Sequence, residues 1–145
     1  MPYVLQEKRP ELDKIIQKMS NRPYNNSMDL IDTLSWLINE CKVPCDGSLN
    51  YILFKYCKYH VKPSYNNYKA FNSVLEYLAY IKYEEAHNLL HDMIINMKPT
   101  SGINKKNIDN HLNISGELSE CVTEIRRCIL SKYEDIKESE NGPVL

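Results

Sequence analysis

YNNYKAFNSVLEYLAYIKYEEAHNLLHDMIINM, residues 65–97, lies in the longest stretch of this 145-residue chain without glycine or proline. Its apolar positions recur every three or four residues, as they do along one face of an α-helix. The members of this face are Tyr68, Phe71, Leu75, Leu78, Leu89, Met93 and Met97. The spacing predicts one long helix, and a helix of this length usually packs against partners along its length.

The same spacing predicts four further helices, in which Pro10 lies in the first turn of the first, Ser27 and Ser48 cap the second and third, and the last begins at about Glu117. The buried face predicted for the second helix is Leu30, Ile31, Leu34, Leu37 and Ile38, and for the third it is Leu49, Ile52, Leu53, Tyr56 and His60. The polar stretch from Pro99 to Asn113 is predicted to be a loop with room for one helical turn. No alternating apolar pattern competes with these helices. We therefore predict an all-α single domain over residues 1–145, a bundle of about five helices that forms a homo-oligomer.

Composition limits the classes of function. The 18 basic and 19 acidic side chains give a net charge of −1, which excludes a polycation that coats nucleic acid or a membrane. The sequence has neither the apolar core of a signal peptide nor the roughly 20 apolar residues that cross a bilayer. Five cysteines, an odd number, indicate reduced thiols rather than a disulfide framework. These features predict a soluble cytoplasmic protein.

One candidate zinc site is Cys41, Cys45, Cys57 and His60, spaced C-x3-C and then C-x2-H. Structural zinc sites take ligand pairs from tighter knuckles, and free cysteine is a common small core residue. The core interpretation is therefore favoured.

Glu84, His87 and His91 lie on one side of the long predicted helix. A helical zinc protease needs glutamate directly after the first histidine, where this chain has Asn88, and a di-iron bundle needs a second Glu-x-x-His. Phosphate loops, dinucleotide fingerprints and nucleophile elbows are also absent from the sequence. We predict a non-enzymatic protein with no metal and no cofactor.

The strongest compositional feature is an acid-free stretch. Between Gly47 and Leu75 there is no Asp or Glu, whereas four lysines and five tyrosines occur. They are Lys55, Lys58, Lys62, Lys69, Tyr51, Tyr56, Tyr59, Tyr65 and Tyr68. Tyrosine rings stack on bases and lysines contact phosphates, a mixture that suits a nucleotide or single-stranded nucleic acid. The alternative is that the tyrosines form core edges or subunit interfaces and the lysines point into water.

Short motifs near both ends and in the middle of the chain carry a resemblance to a known family. They are Met1-Pro2-Tyr3, Gln6-Glu7-x-Arg9, Leu12-Asp13, Gly47-x-Leu49-Asn50-Tyr51, Ser64-Tyr65-x-x-Tyr68, Glu124-x-Arg126-Arg127, Tyr133-Glu134-Asp135-x-Lys137 and Glu140-Asn141-Gly142-x-Val144. The chain resembles a family of short proteins of unknown function from tailed phages and bacterial prophages. It departs from the family pattern at Lys132, Pro143 and Leu145.

The resemblance covers about the first 20 residues, residues 46–72 and the last 30, so the segment 73–114 is predicted to be a family-specific insertion. It implies a small accessory protein that works by binding a host protein or a small molecule. Its matching positions also have a structural interpretation, in which Arg126 pairs with Glu134 or Glu120.

Together these features predict a phage-type accessory protein that binds an anionic nucleotide-like ligand and sequesters a host immune signal in the host cytoplasm, an anti-defence role. The predicted ligand-binding residues are Asn50, Tyr51, Lys55, Lys62, Tyr65, Tyr68, Lys69, Arg126 and Arg127. The alternative is an adaptor that binds a host or virion protein through a tyrosine-rich surface. Binding to nucleic acid is not favoured, and no membrane partner is expected.

Overall fold

The computed structural model describes residues 4–21, 27–95 and 102–141, and the regular elements within them are all helical. They are α1 (Arg9–Ser20), α2 (Ser27–Asn39), α3 (Ser48–His60), α4 (Tyr65–Ile95), α5 (Gly102–Ile125) and α6 (Ser131–Asn141). A π-helical turn, Arg126–Leu130, joins α5 directly to α6, so these three elements form one continuous helical rod. The predicted all-α fold of about five helices, including a long one, is confirmed.

Helix α3 lies at the centre of the core. Its residues Leu49, Ile52 and Leu53 are fully buried, and it packs against α1 on one side and α5 on the other. From α5, Leu118 and Ile125 are also fully buried. Each such side chain contributes about 1.5–3 kcal/mol through removal of apolar surface from water. Helix α3 thus forms the centre of the core, while the most extensive helix–helix contact is that of α4 with α5.

Helices α4 and α5 pack side by side as an antiparallel hairpin. Two small buried residues of α4, Ala79 and Ala86, allow close approach, and the Ser115 hydroxyl donates a 2.7 Å hydrogen bond to the Ala79 carbonyl. Beyond Ala86 the packing changes, because none of the described side chains in residues 87–95 and 105–113 is buried. The outer half of the hairpin therefore lies outside the core.

The start of α3 is held by two carboxylates from different parts of the chain. Gly47 takes a left-handed conformation with φ 98°, which glycine adopts without steric penalty. The Asp46 carboxylate accepts hydrogen bonds from the backbone N–H and the hydroxyl of Ser48. From α5, Glu117 Oε1 accepts the N–H of Gly47 at 2.9 Å and of Asn50 at 3.0 Å. The prediction that Ser48 caps this helix is therefore wrong: Ser48 is its first residue, and the acceptors are Asp46 and Glu117.

The predicted loop from Pro99 to Asn113 is also wrong. Helix α5 begins at Gly102 and runs through most of that stretch, where Ile108 and Leu112 lie one helical turn apart. The asparagines there have low intrinsic helix propensity, but packing against α4 overrides a preference of a few tenths of a kcal/mol per residue.

The buried faces predicted for the helices include some residues that the structure leaves exposed or half-buried. Ile31 is 37% exposed, His60 is exposed, and Leu89 and Met93 are only half-buried. Met97 and the side chain of Ser27 lie outside the described residues.

Replacing Glu117 tests its link to α3. In E117A both N–H groups lose their acceptor, so we expect the free energy of unfolding to fall by about 2 kcal/mol. E117Q keeps an amide oxygen at the same place and should lie within about 0.5 kcal/mol of the parent protein. Urea denaturation at pH 7 measures both changes, and equal losses in the two variants would contradict the capping role.

The pH dependence provides a second test. Burial raises the pKa of Glu117, although the hydrogen bonds from Asn50 and Gly47 act to lower it. A raised pKa means that the folded protein holds this proton more tightly than the unfolded chain, so stability falls as pH rises through the folded pKa. E117Q should remove this decrease from a denaturation series taken between pH 4 and pH 8.

Candidate functional site

The π-helical turn positions the paired arginines of the sequence. Within this turn the Ser131 N–H bonds to the Arg126 carbonyl, five residues back, which adds one residue to the helical turn. The two side chains point to different neighbours. The Arg126 guanidinium pairs with Glu76 of α4 at 2.6 Å, and the Arg127 guanidinium pairs with Glu124 at 2.8 Å. The expectation that Arg126 pairs with Glu134 or Glu120 is wrong, because α4 brings Glu76 closer.

Arg126 lines a cleft of about 240 Å³ between α4 and the rod formed by α5, the π turn and α6. Three residues of the predicted ligand-binding set converge here: Tyr65, Lys69 and Arg126. The Lys69 ammonium lies 5.7 Å from the centre of the Tyr65 ring, and the Tyr65 hydroxyl donates to Glu134 at 3.2 Å. The long helix and the chain's last third thus form this cleft together.

Asn72 also lines the cleft. Its side chain is 3% exposed, and its amide Oδ1 is buried without a hydrogen-bond partner in the protein. A buried acceptor left unpaired costs about 1–3 kcal/mol. A ligand that offers an N–H or O–H group here would recover that loss, which makes Asn72 the most informative residue of the cleft.

The charges around the cleft are balanced. Lys69 and Arg126 are positive, and Glu76 and Glu134 are negative. The side chains of Arg126 and Glu76 are each 58% exposed, and such exposed ion pairs contribute about 0–1 kcal/mol. Arg126 can therefore leave Glu76 for a better anionic partner at small cost.

A wider groove continues past the same ion pair. It measures about 410 Å³, and its lining includes Tyr80, Tyr83, Ser119 and Arg126. The cleft and the groove share Glu76 and Arg126, so these two side chains separate them.

Two further predicted residues, Tyr51 and Lys55, form hydrogen bonds elsewhere in the protein. The Tyr51 hydroxyl and the Lys55 ammonium both donate to Asp13 Oδ1 of α1, at 2.9 and 2.8 Å. Tyr51 is buried, and the Lys55 ammonium also bonds to the Tyr51 hydroxyl at 3.0 Å. This triad ties α1 to α3 and is structural in character.

Asn50 and Arg127 line a third cavity, an acidic groove of about 870 Å³. Its lining includes four carboxylates and one guanidinium: Asp46, Glu117, Glu120, Glu124 and Arg127. An excess of negative charge repels anions. The placement of Asn50 and Arg127 therefore gives no support to their predicted role in binding an anionic ligand.

The last two predicted residues also lie apart from the cleft lining. Tyr68 is buried, with its ring 5.8 Å from that of Tyr133, and belongs to the core. Lys62 is exposed between α3 and α4, where its carbonyl accepts a hydrogen bond from the Asn67 amide.

The candidate metal ligands are spread apart. Cys57 is buried, Cys41 and Cys45 are half-buried, and His60 is exposed. His87 and His91 are exposed on α4 with ring centres 6.5 Å apart. Within residues 4–21, 27–95 and 102–141, no three His, Cys, Asp or Glu side chains are arranged to hold a metal ion.

A family model described as a domain of unknown function (DUF6899) matches residues 1–88. The chain belongs to this family. The DUF6899 match includes α1 to α3 and most of α4, so Tyr65, Lys69 and Asn72 lie within it and Arg126 lies outside it. No curated protein and no solved structure matches the chain. The phage-like motifs after residue 88 are not covered by the match, and the phage origin and the 73–114 insertion stay predictions.

None of the helices in the described part of the chain is long and apolar enough to span a bilayer.

Sequence reasoning missed the residues that complete the cleft: Asn72, Glu76 and Glu134. The sequence does contain a signal for Asn72, because it lies four residues after Tyr68 on the buried face of the long helix, where a polar side chain is unusual. The pairing of Glu76 with Arg126 spans 50 residues and has no local signal.

The triad of Asp13, Tyr51 and Lys55 can be tested through the pKa of the Asp13 carboxyl group. Burial acts to raise the pKa of Asp13, but the hydrogen bonds from Lys55 and Tyr51 prevail and lower it below its ordinary value of 3.8. Asp13 therefore contributes stability above that value, and the contribution is lost as pH falls through the folded pKa. We expect K55M to raise the Asp13 pKa in a carboxyl-carbon NMR titration. K58M is the matched control, because Lys58 of the same helix lies over Tyr59 instead. Equal shifts in the two variants would contradict the triad.

Proposed function

We propose that this protein binds an anionic, nucleotide-like ligand in the cleft formed by Tyr65, Lys69, Asn72 and Arg126, without catalysing its turnover. The observation that carries the proposal is that Asn72, whose amide oxygen is buried and unpaired, lines the same cleft as Lys69 and Arg126. A ligand with a phosphate at one end and a hydroxyl or amino group a few ångströms away satisfies both features. Nucleotides carry both groups.

Each side chain has a distinct task in this proposal. The Arg126 guanidinium offers parallel N–H donors that fit phosphate oxygens, and the Lys69 ammonium adds a point charge. The Asn72 Oδ1 accepts from a sugar hydroxyl or a base amino group. The Tyr65 ring supplies an aromatic wall at the mouth of the cleft.

The volume of the cleft limits what it encloses. At about 240 Å³ it is smaller than the roughly 300–1,000 Å³ of sites that hold whole drug-sized ligands. It therefore encloses the phosphate and the sugar, while the base lies at the mouth. Because the Arg126–Glu76 pair is exposed and weak, phosphate can replace Glu76 as the partner of Arg126.

We further propose that the protein sequesters a host nucleotide signal, which would be an anti-defence function in the host cytoplasm. Its support is the resemblance of the chain's terminal motifs to those of phage proteins, combined with a cleft that suits binding. A protein that sequesters a signal needs affinity and no chemistry, and the amide, the two cations and the phenol ring of the cleft each serve binding in this proposal.

Isothermal titration calorimetry against phosphate, ribose 5-phosphate, cyclic nucleotides and ADP-ribose derivatives tests the proposal. We expect at least one phosphorylated member to bind, and R126A or K69A to weaken it by at least about tenfold. E76Q should bind more tightly, because the carboxylate that competes for Arg126 is gone.

R127A is the matched control for R126A. It removes the same charge one residue along the chain, from a side chain that lines the acidic groove. Its affinity should equal that of the parent protein. Absence of heat with every member of the panel, or an equal loss of affinity in R126A and R127A, would contradict the proposal.

A second candidate is the adaptor function, favoured by four exposed tyrosines. Tyr59, Tyr77, Tyr80 and Tyr83 are each more than half exposed. Exposed tyrosines are enriched in protein–protein interfaces. If a stoichiometric partner protein co-purifies with the parent chain and is lost from Y59S/Y77S while R126A retains it, the adaptor function replaces ligand binding.

A further inference from the structure

The outer part of α4 carries an exposed row of residues with coiled-coil spacing. Its members follow one another at alternating intervals of three and four residues, and each is exposed. They are Tyr80, Tyr83, His87, Leu90 and Ile94, and we call this row the outer seam. Such spacing is the signature of a helix that packs lengthwise against another helix.

The outer seam is unusually apolar for a surface. Tyr80 is 60% exposed, Leu90 46% and Ile94 67%. The row contains no Asp, Glu, Lys or Arg. Leu90 and Ile94 lie beyond Ala86, in the outer half of the hairpin, where none of the described side chains is buried, and Leu112 of α5 is exposed in the same half. Large apolar side chains left exposed in this way mark an interaction site.

We propose that the outer seam is the interface of a two-fold symmetric homodimer in which α4 packs antiparallel against α4 of a second copy. A two-fold interface must be complementary to itself. With the axis at His87, Tyr80 lies opposite Ile94 of the second copy, and Tyr83 lies close to Leu90. Each tyrosine ring thus meets a branched aliphatic side chain, the two His87 rings meet at the axis, and the seam brings no carboxylate, lysine or arginine into the interface.

The neighbouring α5 surface has room for the second copy. Gly116 lies in the interior of α5, where glycine weakens a helix, and a Cβ added there would meet nothing within 4 Å inside the protomer. Ser119 and Thr123 continue the row of small residues along the groove that Tyr80 and Tyr83 border. Small side chains at these positions let an approaching helix come close to α5.

The size of the surface fits a dimer. With the axis at His87, residues 79–95 of the two copies overlap, and α4 with α5 presents a face about 25 Å long and about 20 Å wide, on the order of 500 Å² if it is treated as flat. A standard interface buries about 800 Å² per partner. We therefore expect a dimer that forms at micromolar concentration and dissociates on dilution.

A charge-complementation experiment with the full chain tests both the interface and its direction. The antiparallel pairing predicts that Y80K and I94E each weaken self-association by at least about tenfold. Mixed in equal amounts, the two variants should form a heterodimer, because the ammonium introduced in one copy then meets the carboxylate introduced in the other. Sedimentation equilibrium of each variant and of the mixture measures this recovery.

Two exposed positions outside the outer seam provide matched controls. Tyr77 is 61% exposed and Ile136 is 56% exposed, so Y77K and I136E make the same changes on other surfaces. Both should dimerise as the parent chain does, and far-ultraviolet circular dichroism should show unchanged helicity in all four variants.

A parent chain that is monomeric up to about 100 µM overturns the proposal, since the expected interface is of micromolar strength. A dimer unaffected by Y80K and I94E, or a mixture that fails to recover association, also overturns it. The outer seam excludes Tyr65, Lys69 and Asn72, so the dimer and the proposed ligand site can fail independently.

Discussion

The carboxylate of Glu117 is the constraint on which much of the structure depends. It is a nearly buried charge on α5, and it accepts two backbone N–H groups at the start of α3. A helix start carries unpaired N–H groups and a partial positive charge, which offset part of the cost of burying this carboxylate, although burial still raises its pKa. This bond fixes where α5 lies along α3, and every residue further along the rod takes its position from it.

The π-helical turn contains the arginine that borders the candidate site. Nine residues after Glu117, the chain widens by one residue and separates two adjacent arginines. One of them reaches Glu76 of α4 and borders the cleft, and the other stays with Glu124 beside the acidic groove. Adjacent side chains point about 100° apart on an ordinary α-helix. The extra residue of the π turn changes the direction of those that follow, and π turns are often found at functional sites.

The α4–α5 hairpin joins two regions of opposite character. Near the core, Ala79, Ala86 and Ser115 bring the helices into close contact and fix the cleft. Beyond Ala86 the same two helices carry apolar residues that the protomer does not cover. The DUF6899 match ends at residue 88, close to this change. The match therefore ends within the outer seam, for which we propose a second copy as the partner.

The sequence by itself determined the helical class and most helix positions, because periodicity depends only on local geometry. The long helix from Tyr65 follows from apolar spacing alone, and so do the buried residues Leu49, Ile52 and Leu53. The acid-free stretch also led to Tyr65 and Lys69. Tertiary structure decided the rest. The polar stretch before Asn113 is helical because it packs against α4. Tyr51 and Lys55 bond to Asp13 and Tyr68 lies in the core, so these three residues do not line the candidate site. Tertiary structure also brought Arg126 to Glu76, 50 residues earlier in the chain, and into the cleft that Asn72 lines. Convergence of this kind depends on how helices pack, and spacing along one helix carries no information about the neighbour it will meet.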